Sequence, residues 1–68
     1  MKNKFHIRIY ELRKELKMSQ SDLAKKIGVT QKAIDFWEKQ INEPKASYII
    51  ALSNFFGVSS DYLLGIED

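Results

Sequence analysis

Apolar residues recur along this chain at helical intervals, and no stretch alternates with the two-residue period of a half-buried strand. Over 5–17, Phe5, Ile9, Leu12 and Leu16 fall on one stripe of a helix, with Arg8, Glu11, Glu15 and Lys17 elsewhere on the wheel. Leu23, Ala24 and Ile27 form the apolar face of a second helix. On a third, Ile34 and Trp37 face inward, which leaves Gln31, Lys32, Asp35 and Phe36 outward. Ile49, Leu52 and Phe56 stripe a fourth helix, and a short fifth covers 60–64. The pattern predicts an all-α fold of five helices.

Polar punctuation places the helix ends. Ser19 is a good N-cap, and Asp22, three residues on, puts its charge beside the helix N-terminus. Met18 before the cap and Leu23 after it are spaced for a hydrophobic staple. Gly28 stops the second helix, because glycine takes the left-handed conformation without steric cost. The grammar repeats at Val29, Thr30 and Ile34, and again at Val58, Ser59 and Leu63. Helices two and three are thus separated by only about three residues, which predicts the steep crossing, roughly 90–120°, of a helix-turn-helix. A loop over 40–45 holds Pro44, and Gly57 and Gly65 end the last two helices.

Length and composition narrow the picture. With 68 residues the chain predicts one small domain, spanning 1–68 with a core over about 5–65. There is no cysteine, so neither a disulfide nor a thiolate zinc site is available. A hydrophobic fraction of 44% suits a packed core rather than a disordered tail. A net charge of +2 permits nucleic-acid binding without requiring it. The N-terminus begins basic, but Arg8, Glu11, Arg13 and Lys14 interrupt any secretory or membrane-spanning run. The expectation is a soluble, cytoplasmic protein. The one histidine, His6, has no partners at catalytic or ligand spacing, so neither an enzyme, a metal site nor a cofactor is expected.

Several linked segments resemble the lambda-repressor/Cro-like helix-turn-helix proteins, the XRE family. They are Leu12-Arg13-Lys14-Glu15, the stretch from Ser19 through Gln31, Ile34-Asp35-Phe36-Trp37-Glu38, and Phe55-Phe56-Gly57-Val58-Ser59-Ser60-Asp61-Tyr62-Leu63-Leu64-Gly65. The resemblance covers about 8–65. It implies a compact five-helix DNA-binding domain and a sequence-specific transcriptional regulator, a repressor, that reads the major groove with its third helix. It also implies that Gln20 touches a DNA phosphate and steadies the glutamine of helix three. It implies an ion pair between Arg13 and Glu38. Two positions depart from the family pattern: Gln40 stands where glycine is usual, and Lys45 where a capping residue is favoured. The exit from helix three and the start of helix four are the places expected to differ.

The candidate base-contacting residues are Gln31, Lys32, Phe36 and Asp35. Glutamine matches adenine N6 and N7, lysine matches guanine O6 and N7, and phenylalanine suits a thymine methyl group. Phe36 has an alternative role, half-buried against the loop after helix three. The candidate phosphate contacts are Gln20, Lys25, Lys39, Asn42 and Lys45. The expected partner is a near-palindromic double-stranded operator bound by a homodimer, with no membrane and no small-molecule effector. Tyr48, Ala51 and Phe55 draw a second apolar stripe on helix four which, with Ile41 and Ile66, offers a dimer or partner face. The alternative function is an antitoxin-like or anti-repressor module whose main partner is another protein.

Overall fold

Capping decides where the helices begin. In the computed structural model, which describes residues 3–66, the Ser19 hydroxyl accepts from the Asp22 amide at 3.0 Å and the Asp22 carboxylate accepts from the Ser19 amide at 3.1 Å. This reciprocal box satisfies two donors that a helix start otherwise leaves unpaired. Thr30 accepts from the Ala33 amide and Ser59 from the Tyr62 amide in the same way. Five helices follow: α1 (Phe5–Glu15), α2 (Gln20–Ile27), α3 (Gln31–Glu38), α4 (Ala46–Phe56) and α5 (Ser60–Leu64). The described residues contain no strand, so the fold class is all-α. Lys45 opens α4 without a side-chain cap, and Asn3 supplies an outside acceptor to α1 through the Phe5 amide at 2.9 Å.

The helices end on left-handed residues. Gly28, at φ +83°, lets the amides of Gly28 and Val29 both reach the Ala24 carbonyl, so α3 can start after a single turn. Gln40 takes φ +59°, the conformation for which glycine is favoured. Its amide donates to the Trp37 carbonyl at 3.2 Å and the Ile41 amide to the Phe36 carbonyl at 2.9 Å. This is a complete Schellman closure. The exit from helix three, where a different shape was expected, therefore keeps a left-handed turn and carries its strain on a glutamine.

Lys17 does the same for α1, at φ +56°. That helix ends at Glu15, short of the predicted 17, and Leu16 becomes its C-cap, 56% exposed. The expected core position of Leu16 is thus corrected. The inward place near this end of α1 goes to Arg13, whose hydrogen bonds to Glu38 and to the Met18 carbonyl make burial tolerable.

Each helix sends one fully buried aliphatic side chain to the centre: Ile9, Leu23, Ile34, Leu52 and Leu63. Each contributes roughly 1.5–3 kcal/mol through removal from water. Trp37 closes the core, edge-on to Phe5 at 6.1 Å and tilted against Tyr48 at 5.8 Å. Tyr48 is therefore half-buried under Trp37 and leaves the expected free stripe of helix four. Phe55 meets Phe56 edge-on at 5.1 Å and stays exposed, as does Ile50 on the same helix. α3 lies against α1 and α2, and α5 against α1 and α4. None of the described helices is long and apolar enough to cross a membrane.

Candidate nucleic-acid interface

The face of α3 that the core leaves uncovered starts at its first turn. Ile34 and Trp37 bury the opposite side, so Gln31 and Lys32 are both exposed at the N-terminal end. Lys32 lies over the Phe36 ring at 5.5 Å, one turn along. Phe36 itself is half-buried, and the chain turns back over its carbonyl at Ile41. Lys25 on α2, Lys39 at the end of α3, and Asn42 and Lys45 in the following loop are exposed. Asn42 borders a surface cleft of about 520 Å³ whose walls include Phe5, His6, Trp37 and Glu43.

Asp35 is engaged by its own protein. Its Oδ1 accepts from Gln20 Nε2 at 3.2 Å, and its Oδ2 meets Lys39 Nζ at 3.0 Å. The Lys39 hydrogen bond, followed by that from Gln20, holds the Asp35 carboxyl below its ordinary range. Gln20 Nε2 also donates to Glu38 Oε1 at 3.0 Å, while Gln20 Oε1 accepts from Gln31 Nε2. Glu38 is gripped from α1 by Arg13, with Nε on Oε2 at 2.8 Å and Nη2 on Oε1 at 2.9 Å. The hydrogen bond to Glu38 raises the guanidinium pKa, and burial opposes it.

The two short helices thus share one polar network, Arg13–Glu38–Gln20–Gln31, with Asp35 and Lys39 attached. The contacts from Gln20 to Asp35 and to Glu38 join residues 15 and 18 apart in sequence. Neither contact has a local sequence signal: Asp35 reads as an outward candidate for base contact and Glu38 as the partner of Arg13, and no spacing points either to Gln20. Only the crossing of α2 over α3 brings them to Gln20.

A model of the helix-turn-helix family matches residues 9–63. Repressor protein C2 of Salmonella phage P22 is 44% identical over 57 residues, covering 84% of this chain and 26% of that protein. The uncharacterised HTH-type transcriptional regulator YobD of Bacillus subtilis is 33% identical over 61 residues, covering 90% of this chain and 54% of that one. Among solved structures, the P22 c2 repressor in complex with a synthetic operator matches with a TM-score of 0.84 at 42% identity, over 88% of this chain and 91% of that one. The chain spans between 26% and 54% of the length of the curated relatives it matches.

Proposed function

The chain belongs to the helix-turn-helix family, of the lambda-repressor/Cro-like type, and we propose that it is a sequence-specific, double-stranded-DNA-binding transcriptional repressor. One observation carries the reading. Gln31 and Lys32 stand exposed at the first turn of a helix whose opposite face is anchored by Ile34 and Trp37. The N-terminal residues of a recognition helix are those that reach base edges in the major groove. Gln31 reads adenine through N6 and N7, Lys32 reads guanine, and Phe36 presents the edge of its ring to a thymine methyl group. Lys25, Lys39, Asn42 and Lys45 fix the register on the phosphates. The likeness to an operator-bound repressor supports the placement.

One short recognition helix reads few base pairs, so the protein binds as a homodimer on a near-palindromic operator. It works in the cytoplasm, a reducing compartment that its lack of cysteine suits, and it catalyses no reaction. Selection from a random duplex pool, followed by gel shifts of the enriched sites, tests this. The expected product is a pair of half-sites one helical turn apart, about 34–36 Å. A pool in which no sequence is enriched sinks the reading. The exposure of Ile41 and Ile66, at 58% and 71%, favours a second reading, in which a protein partner is the main target as in an antitoxin-like module. That reading gains if the protein binds every duplex equally and weakly.

A further inference from the structure

We propose that the cleft between the start of α1 and the α3–α4 loop is a binding site for a small organic cation, an apolar stem carrying a primary ammonium group. Glu43 is its counter-ion, and Phe5, Trp37 and Ile41 seat the stem. This departs from the expectation of no small-molecule effector, because the cleft exists only once the α3–α4 loop folds back on α1.

Shape comes first. The cleft holds about 520 Å³, within the roughly 300–1,000 Å³ of sites that take small organic molecules. Phe5 and Trp37, edge-on at 6.1 Å and each all but buried, give it a rigid aromatic lining. Ile41 belongs to the same lining and is exposed. An isoleucine left in water beside an aromatic hollow gains from any apolar stem that covers it.

Charge decides which molecule fits. Glu43 is the one formally charged side chain among the described residues that line the cleft. No lysine or arginine among the described residues pairs with it. Its Oε2 accepts from the neutral Asn3 amide at 3.2 Å. The nearby Lys4 turns its stem toward Gly65 instead. His6 adds no positive charge, because its Nδ1 is out of reach of water and has no hydrogen-bond partner. A proton there would meet no acceptor, so the ring donates from Nε2 alone. An ammonium group suits this setting twice, as a charge-assisted donor to a carboxylate and as a cation beside aromatic rings. An anion meets only the repulsion of Glu43. Of the candidate DNA contacts, only Asn42 borders the cleft, so its occupancy is measured without DNA.

The test titrates phenethylamine into the full chain and follows the emission of Trp37, the one tryptophan. A ligand this small should bind with a Kd of about 1 mM. Phenethyl alcohol has the same shape without the charge and should bind about tenfold more weakly. Glu43→Gln keeps an oxygen for Asn3 and removes the charge, so it should bring the two ligands to equal affinity. Ile41→Ser should weaken both by the same factor and leave their ratio unchanged. Both residues are exposed, so neither variant threatens the fold. Backbone amide NMR shifts on adding the amine should centre on Phe5, His6 and the stretch from Ile41 to Glu43. The site is overturned by emission that does not saturate by about 10 mM amine, by a Glu43→Gln variant that still prefers the amine, or by shifts centred on another face.

Discussion

The Arg13 guanidinium and the Glu38 carboxylate meet edge to edge between α1 and α3, with paired bonds of 2.8 and 2.9 Å and side chains only 8% and 7% exposed. The third guanidinium nitrogen donates to the Met18 carbonyl at 2.8 Å, at the turn that leads into α2. One side chain therefore ties three segments together.

Glu38→Ala should strand the Arg13 charge in a dry position and lower unfolding stability by about 3–5 kcal/mol. The double variant Arg13→Met/Glu38→Leu removes both charges and should recover most of that loss. Urea denaturation of the three variants at pH 7 checks it. A double variant less stable than Glu38→Ala would contradict the account.

Gln40→Gly should stabilise the protein by about 1 kcal/mol, because a left-handed residue with a Cβ carries roughly 1–2 kcal/mol of strain and glycine carries none. Part of the gain is offset by the freedom glycine has in the unfolded chain. A thermal melt suffices as the measurement, and a lowered melting temperature would count against the strain at this turn.

Two glycines with the same left-handed backbone should respond differently to alanine. A Cβ at Gly28 meets nothing within 4 Å, so Gly28→Ala costs only the backbone strain, about 1–2 kcal/mol. At Gly65 the new Cβ would lie 2.8 Å from Lys4 Cβ and 2.9 Å from Lys4 Cγ. There the start of α1 must shift, and the Lys4 amide, which donates to the Leu64 carbonyl at 3.3 Å, shifts with it. Gly65→Ala should therefore be the more destabilising of the two in paired melts.

Acid should weaken the α2–α3 unit. The Ser19 amide, then the Ser19 hydroxyl, hold the Asp22 carboxyl below its ordinary 3.8, and Lys39 followed by Gln20 do the same for Asp35. A carboxyl whose folded pKa is depressed adds stability that is complete above the unfolded value and disappears as pH falls through the folded one. Melting temperature should thus be level from pH 7 to about 5 and fall below about 4. Asp22→Asn should flatten part of that fall, and an unchanged profile would refute the assignment.

On DNA, Gln31→Ala and Lys39→Ala should separate by behaviour. The first should lose about 1–3 kcal/mol on the selected operator and far less on unrelated DNA. The second should weaken every duplex alike and lower the salt slope by about one. Titrations on both duplexes at two salt concentrations distinguish them. Equal losses for Gln31→Ala on both duplexes would remove α3 from sequence reading.

Local residue patterns were enough to place the helix starts and most of the stops, and with them the α2–turn–α3 unit. These are local matters: a Ser19 hydroxyl reaching an amide three residues on, a glycine at 28 free to turn left, and Leu23 and Ile34 at one helical face. The same local rules misplaced Leu16, because a stripe continues on paper after the helix has ended. They also left Tyr48 on an outer stripe that Trp37 covers. The bonds from Gln20 to Asp35 and Glu38 come from packing. The sequence offers Asp35 as an outward residue for base contact and, by resemblance, pairs Glu38 with Arg13, but it points neither of them to Gln20. Their effect on Gln20 exists only once α2 crosses α3 and α1 brings Arg13 to the same point, since hydrogen bonds reach about 3 Å while the partners lie 15 to 25 residues apart in the chain.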